Sequence, residues 1–382
     1  MRNLELQVPT KIFSFPGAVG GIGRSCLQGC SRAMLITNTW FQSGTSLRQI
    51  QEAAEASGIE ILVQPEVTPF STEELVDKLL EISRISYIEA VIGFGDDAAL
   101  SVARAVAVLH GSVLSAQELR SDAEIRTAML PYLEIPTVFS THYFFRSSVI
   151  LADRSGRGVR FADIPGFNPR VLIQDPGMLK EVSRKQRLAS LLETLLLAVE
   201  GYFSKDATFF SDTLLLRGIG LSLDTLPQLL EKPDDLYVLH RGMQAGFFTA
   251  FGMAMSSPGW GIGSAQVLAR LQKIPSAIVA TILLPFVLEY GLKVCPEKVA
   301  RMGNMLGENI RGLSVVAAAD RVVDSIRASL GVEQMPGRLS ELGIEERLLN
   351  QAASQVMELP FIQSLPTPMG LQELVGQLKT AF

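Results

Sequence analysis

Histidine and cysteine are scarce in this chain, which limits the metal and disulfide chemistry open to it. Among 382 residues there are three histidines and three cysteines. Transition ions are usually held by four imidazole, thiolate or carboxylate donors, so few metal sites can be built from this set. An odd and small number of cysteines gives no disulfide framework. We therefore expect a reduced, cytoplasmic protein.

Long apolar spans and basic runs are also missing. The net charge is −5, and no cluster of Lys or Arg forms a nucleic-acid surface. The longest apolar stretch, residues 277–288, is interrupted by Thr281 and Pro285 and is shorter than the roughly 20 residues of a membrane-spanning helix. We interpret it as a buried core helix. The first residues carry no apolar signal segment, so we expect neither a nucleic-acid nor a membrane partner.

The pattern of apolar residues predicts two domains of different class. Short apolar runs alternate with amphipathic helical patterns over about the first 160 residues, which is typical of βαβ units and a parallel sheet. From Pro169 onward long helical patterns dominate. We predict an α/β, Rossmann-like N-terminal domain at residues 1–162 and an all-α C-terminal domain at residues 163–382. Predicted strands lie at 33–37, 59–63, 88–94 and 135–139, with a hairpin at 149–161.

Three segments of the C-terminal half carry a recognisable pattern of spacings. Residues 193–202, 259–266 and 274–276 read ETLLLAVEGY, GWGIGSAQ and IPS. They resemble the D-A-x-x-H-A-x-E-A-Y helix, the G-x-x-H-x-x-A-H stretch and the P-H-G turn of the iron-containing (group III) alcohol dehydrogenases. The match places four residues on the family's ligand positions: Glu193, Leu197, Ile262 and Ser276. Gln266 falls on a second, non-ligating histidine.

The resemblance runs the full length of the chain, and it implies more than a fold. It implies the dehydroquinate synthase-like fold of the iron alcohol dehydrogenases, a homodimer, and an NAD(P)-dependent oxidoreductase with its ligand in the interdomain cleft. It also implies iron in the helical domain. Two alkyl side chains, one hydroxyl and one carboxylate are a poor donor set, so we expect that neither iron nor zinc binds.

The cofactor positions implied by the resemblance lie in two loops and at one strand end. The family's G-G-G-S-x-x-D-x-x-K loop aligns with residues 95–104, which begin Gly95-Asp96-Asp97. An aspartate at a helix N-terminus is a good N-cap, and it occupies the place that would receive a phosphate. The family's P-T-T-A-G-T-G-S-E loop aligns with residues 136–144, where bulky Tyr143 and Phe144 would fill the nicotinamide space. The candidate cofactor-binding residues are Asn38, Gly93, Gly95, Asp96, Asp97, Thr137 and Thr141.

Three functional hypotheses follow from these substitutions. In the first, the fold is retained as a pseudoenzyme with a binding or scaffold role, and no cofactor is expected. In the second, a metal-independent enzyme uses the same cleft, with His142, Glu193 and Gln266 as catalytic residues and Arg146 as an anion-binding cation. In the third, the chain keeps the family's NAD(P)-linked reduction of an aldehyde or ketone.

Overall fold

The structure is a computed structural model of the whole chain. It describes residues 8–23, 27–68, 71–119, 125, 128–140, 144–146, 148–153, 158–330 and 335–382. The described residues divide into two compact units. An α/β unit contains residues 8–138 and 144–183, and a helical unit contains residues 139–140 and 184–382. The predicted pairing of an α/β domain with an all-helical domain is confirmed.

The α/β unit is built on a six-stranded parallel sheet with the strand order β1-β8-β5-β4-β2-β3. Its strands are β1 (Lys11–Ser14), β2 (Arg32–Asn38), β3 (Glu60–Val67), β4 (Ala90–Gly95), β5 (Tyr132–Pro136) and β8 (Val171–Gln174). Between them run α1 (Thr45–Glu55), α2 (Glu73–Ile85) and α3 (Asp97–Leu109). Every residue of β4 is buried, as expected of a parallel strand covered on both faces.

The sheet order reverses between β2 and β4, since the chain moves from β2 to β3 on one side and then returns to β4 on the other. In open α/β sheets, ligands bind outside the carboxyl ends of the strands at such a switch point. Asn38 ends β2 and Gly95 ends β4. The fold therefore places two of the predicted cofactor positions together.

Two further strands form the predicted hairpin. β6 (Ser148–Ala152) and β7 (Val159–Asp163) pair antiparallel. The predicted domain boundary at 162/163 falls inside β7, whereas β8 still belongs to the parallel sheet and the α/β unit continues to Ser183. The strand β8 lies beyond the point where helical patterns were predicted to take over. Its four residues are too few for periodicity to show.

The helical unit consists of α4 (Arg184–Phe203), α5 (Phe209–Glu231), α6 (Leu236–Met253), α7 (Trp260–Gln272), α8 (Ser276–Val294), α9 (Pro296–Met305), α10 (Val315–Leu330), α11 (Glu346–Met357) and α12 (Leu371–Thr380). Most of these helices match the predicted ones to within a few residues. Three differ: α5 extends to Glu231 instead of ending at Leu223, α7 begins at Trp260 instead of Ala265, and α11 was not predicted. The long helix α4 is buried over most of its length, so other helices of the unit surround it.

The apolar run at residues 277–288 forms part of α8. Ile282, Leu283, Leu284 and Leu288 are buried, and the helix packs against α4 and α7. Among the described residues, α8 is the one helix long and apolar enough to cross a membrane by length and composition. A core helix of a globular unit meets the same criterion.

Candidate functional site

The carboxyl ends of β2 and β4 are joined by a pair of hydrogen bonds between Asn38 and Asp96. The Asn38 Nδ2 donates to Asp96 Oδ1 at 2.8 Å, and the Asp96 backbone N–H donates to Asn38 Oδ1 at 3.0 Å. Asp96 is also the N-cap of α3, because its Oδ1 accepts from the backbone N–H groups of Ala98 and Ala99 at 3.0 and 3.2 Å. The anion-binding end of α3 is thus occupied by the chain's own carboxylate.

Gly95 makes this arrangement possible. Its φ is +146°, a region that side chains rarely adopt, and a Cβ there would lie 2.1 Å from Asn38 Oδ1. Gly93 serves packing, since a Cβ there would lie 2.6 Å from the Tyr132 hydroxyl. Asp97 is the first residue of α3 and is half-buried. Both glycines therefore have a structural explanation within the α/β unit.

The second predicted cofactor loop is only partly described. Thr137 is buried, and its N–H donates to the Gly95 carbonyl at 2.8 Å, so it continues the contact between β5 and β4. Thr141, His142 and Tyr143 lie outside the described residues. Phe144 is 1% exposed, as expected of an aromatic side chain that packs instead of facing solvent. The predicted meeting of His142 with Glu193 and Gln266 thus stays a prediction.

Phe139 and Ser140, in the same loop, are docked against helices of the helical unit. The Phe139 N–H donates to Ser190 Oγ at 2.9 Å, and Ser140 Oγ donates to the Gly246 carbonyl at 3.1 Å. A Cβ on Gly246 would lie 1.7 Å from the Phe139 carbonyl oxygen, and one on Gly242 would lie 2.4 Å from the Phe139 ring. Two glycines of α6 are thus the reason that this segment can pack so closely.

The four positions on the family's ligand pattern lie on three neighbouring helices. Glu193 and Leu197 are on α4, Ile262 is on α7, and Ser276 begins α8. Ser276 Oγ donates a hydrogen bond to Glu193 Oε1 at 3.0 Å. Leu197 and Ile262 are each 2% exposed, so both alkyl chains are core residues. Gln266, one turn beyond Ile262 on α7, is half-buried.

Glu200 is a buried acid whose role was not predicted from the sequence. It is 4% exposed, and its carboxylate accepts hydrogen bonds from the backbone N–H groups of Gly259, Gly261 and Ile262 at 2.9, 2.6 and 3.0 Å. It therefore clamps the start of α7 to α4. Burial raises the pKa of Glu200 to about 7, although the three N–H donors oppose the shift. The available sequence signal was the second glutamate of the helix motif at residues 193–202.

A buried ion pair was also not predicted from the sequence. Arg104 on α3 and Glu134 on β5 form a two-pronged ion pair, with N–O distances of 3.2 and 2.9 Å, and both side chains are 0% exposed. Arg104 also donates to the carbonyls of Arg146 and Ser148 at 2.9 and 3.2 Å. The guanidinium thereby fixes the chain just before β6. The predicted anion-binding role of Arg146 stays a prediction.

Both halves of the chain match known protein families. Residues 9–176 match the family described as "Iron-containing alcohol dehydrogenase", and residues 187–382 match "Fe-containing alcohol dehydrogenase family, C-terminal". The NAD-dependent methanol dehydrogenase of Bacillus methanolicus is 22% identical over 370 residues, covering 96% of each chain. The 1,3-propanediol dehydrogenase of Klebsiella pneumoniae is 24% identical over 392 residues, covering 100% of this chain and 99% of its own.

Solved structures show the same fold. A crystal structure of a 1,3-propanediol oxidoreductase superposes with a TM-score of 0.92 at 23% identity, covering 100% of both chains. An alcohol dehydrogenase from Oenococcus oeni superposes with a TM-score of 0.91 at 17% identity, again covering 100% of both chains. The parallel sheet, the helical unit and the two family matches lead to one conclusion. The chain belongs to the iron-containing alcohol dehydrogenase family.

Proposed function

We propose that this family member binds no transition metal at the family's metal position and acts as a binding or assembly subunit instead of a metal-dependent alcohol dehydrogenase. The observation that carries the proposal is the set of side chains at that position. Of the four residues, only Glu193 and Ser276 have oxygen atoms that could coordinate a metal. Their side chains hydrogen-bond to each other at 3.0 Å. The remaining two positions carry buried hydrocarbon.

The family's iron does not fit this donor set. Iron and zinc sites are usually built from about four imidazole, thiolate or carboxylate donors. Leu197 and Ile262 have no lone pair to offer, and a neutral hydroxyl such as that of Ser276 is a weak ligand. A single carboxylate cannot hold the ion alone. A reaction at this position would therefore have to proceed without a metal.

The α3 N-terminus offers a second argument, against tight binding of a dinucleotide. A pyrophosphate placed there would have to displace the Asp96 carboxylate from Ala98, Ala99 and Asn38. If the carboxylate stayed, two like charges about 4 Å apart would repel by about 4 kcal/mol at an effective dielectric of ~20, close to a thousandfold in affinity. We therefore propose that NAD(P) binds weakly or not at all.

A second candidate function is an NAD(P)-linked oxidoreductase acting on a small alcohol or aldehyde. Similarity to dehydrogenases along the full length of the chain favours it. A metal-independent enzyme is a separate alternative, in which Glu193 as general base and His142 as general acid would act beside Gln266. The two candidates differ in whether a nucleotide binds and whether an alcohol or aldehyde turns over.

Metal analysis of the purified full chain tests the first candidate. We expect far less than one iron or zinc per chain after purification without chelators and incubation with either ion. A fourfold variant provides the matched comparison, because it restores the family's ligands: Glu193→Asp, Leu197→His, Ile262→His and Ser276→His. One equivalent of metal in the unaltered protein would refute the proposal, whether or not the variant folds.

Thermal unfolding with NAD⁺, NADH, NADP⁺ and NADPH tests the cofactor argument. A ligand present at about 100 times its dissociation constant adds about 2.7 kcal/mol to the free energy of unfolding. We expect no such shift at millimolar nucleotide. A clear shift with one nucleotide, together with turnover of a small alcohol or aldehyde, would establish the second candidate in place of the first.

The family resemblance also suggests a homodimer and a small-molecule ligand, and we propose both. Size-exclusion chromatography with light scattering measures the mass of the protein in solution and so tests the homodimer directly. A mass of one chain, 41.5 kDa, at micromolar concentration would exclude a stable dimer.

A further inference from the structure

A small cavity lies beside the start of α7 in the helical unit. Its volume is about 10 Å³, and its lining includes Glu200, Phe203, Trp260, Val287 and Tyr290. A cavity of about 10–15 Å³ can hold one water molecule when polar groups line it and can bind the water. The lining is mostly apolar and aromatic, so the few polar atoms decide what the cavity can hold.

Trp260, one of the lining residues, carries a buried polar atom. Its side chain is 1% exposed, and its Nε1 has no hydrogen-bond partner among the described residues. The indole N–H is a donor only, and a buried donor without an acceptor costs about 1–3 kcal/mol. The indole therefore calls for an acceptor that the described protein atoms do not provide.

Glu200 contributes an acceptor with spare capacity. Its Oε2 accepts from both Gly259 and Ile262, whereas its Oε1 accepts, among the described residues, from Gly261 alone. A carboxylate offers about four lone-pair sites, so one remains on Oε1. The other nearby hydroxyls already have partners, since Tyr290 Oη bonds to Thr367 and Ser204 Oγ donates to the Ser364 carbonyl.

We propose that the cavity is a binding site for a single water molecule, which accepts a hydrogen bond from Trp260 Nε1 and donates one to Glu200 Oε1. The pairing of an N–H donor with a carboxylate acceptor suits a molecule that both accepts and donates hydrogen bonds, as water does and a bare cation does not. The water completes the hydrogen bonds of the carboxylate that clamps α7 to α4, so it helps to fix the turn that carries Ile262. The water site is the same under either candidate function.

A high-resolution crystal structure of the full-length protein tests the proposal. We expect one ordered water within about 2.7–3.2 Å of both Trp260 Nε1 and Glu200 Oε1. An empty cavity, or an indole N–H bonded to a protein carbonyl, would overturn the proposal. Density larger than a water would overturn it too, because the ligand would then belong to another chemical class.

Indole resonances provide a second measurement in solution. The chain has two tryptophans, so Trp40→Phe and Trp260→Phe assign both signals. Trp40 is 42% exposed and serves as the matched control. We expect the Trp260 indole proton to exchange at least tenfold more slowly than that of Trp40 and to show magnetisation transfer from a bound water. A protected proton without any transfer from water would contradict the proposal. In crystals, Trp260→Phe is expected to lose the water while Trp40→Phe retains it.

Discussion

Ser276 Oγ donates a hydrogen bond of 3.0 Å to Glu193 Oε1, and this contact joins the first turn of α8 to the middle of α4. The two residues are 83 positions apart in sequence, so the contact is a tertiary one. The hydroxyl of Ser276 and the carboxylate of Glu193 thus link the two helices. Leu197 and Ile262, whose alkyl chains are each 2% exposed, belong to the core of the helical unit.

Removal of the Asp96 side chain is expected to destabilise the protein more than removal of an ordinary helix cap. Asp96→Ala removes the N-cap of α3 and also leaves the buried Asn38 Nδ2 without its acceptor. Asp235 is the matched control, because it caps α6 through two similar N–H bonds but is exposed. We expect the free energy of unfolding, measured in urea, to fall by about 1 kcal/mol in Asp235→Ala and by about 2–3 kcal/mol in Asp96→Ala. Equal losses would show that the Asn38 bond contributes little.

The protonation of Glu200 predicts a pH-dependent stability. The pKa of this carboxyl is raised from 4.5 to about 7 in the folded protein, so the folded state binds the proton more tightly than the unfolded chain does. The contribution to stability is therefore fully present below about pH 4.5, and it is lost as the pH rises to about 7, by about 3 kcal/mol in total.

Unfolding in urea across this pH range measures the effect. We expect Glu200→Gln to remove the part of the decline between about pH 4.5 and 7 that Glu200 contributes, because the amide does not titrate. The exposed Glu358→Gln should leave the profile of the unaltered protein unchanged. If Glu200→Gln and the unaltered protein decline in parallel, the Glu200 carboxyl titrates normally.

The sequence predicted the elements of this fold better than it predicted the chemistry inside it. Alternation of apolar runs located β2 and β4, and the aspartate at the start of α3 was correctly expected to be a cap. The partner of that aspartate, Asn38, was not foreseen. Hydrogen bonds between residues far apart in sequence depend on strand order, which local periodicity does not contain. For the same reason Glu200 was seen only as one letter of a helix motif.

The Arg104–Glu134 pair is expected to be costly to break. Both side chains are fully buried, so Arg104→Met would leave an uncompensated carboxylate, and we expect a loss of about 3–5 kcal/mol. Arg104→Met combined with Glu134→Gln should recover a large part of it, since no charge remains. The exposed pair of Arg32 with Glu60 is the control. Arg32→Met should lower the free energy of unfolding by less than about 1 kcal/mol. A double variant as unstable as Arg104→Met alone would mean that lost packing, and not the unpaired charge, causes the loss of stability.

The close approach of the Phe139 segment to α6 predicts a strong effect of one added methyl group. In Gly246→Ala the new Cβ would meet the Phe139 carbonyl at 1.7 Å, and backbone cannot move aside as a flexible side chain can. We expect a loss of at least about 3 kcal/mol in the free energy of unfolding. Gly376→Ala is the matched control, because a Cβ added to this glycine of α12 would have no atom within 4 Å. There the higher helix propensity of alanine should add up to about 1 kcal/mol. Opposite signs for the two changes in urea unfolding are the expected result, and a neutral Gly246→Ala would show that the loop does not pack on α6.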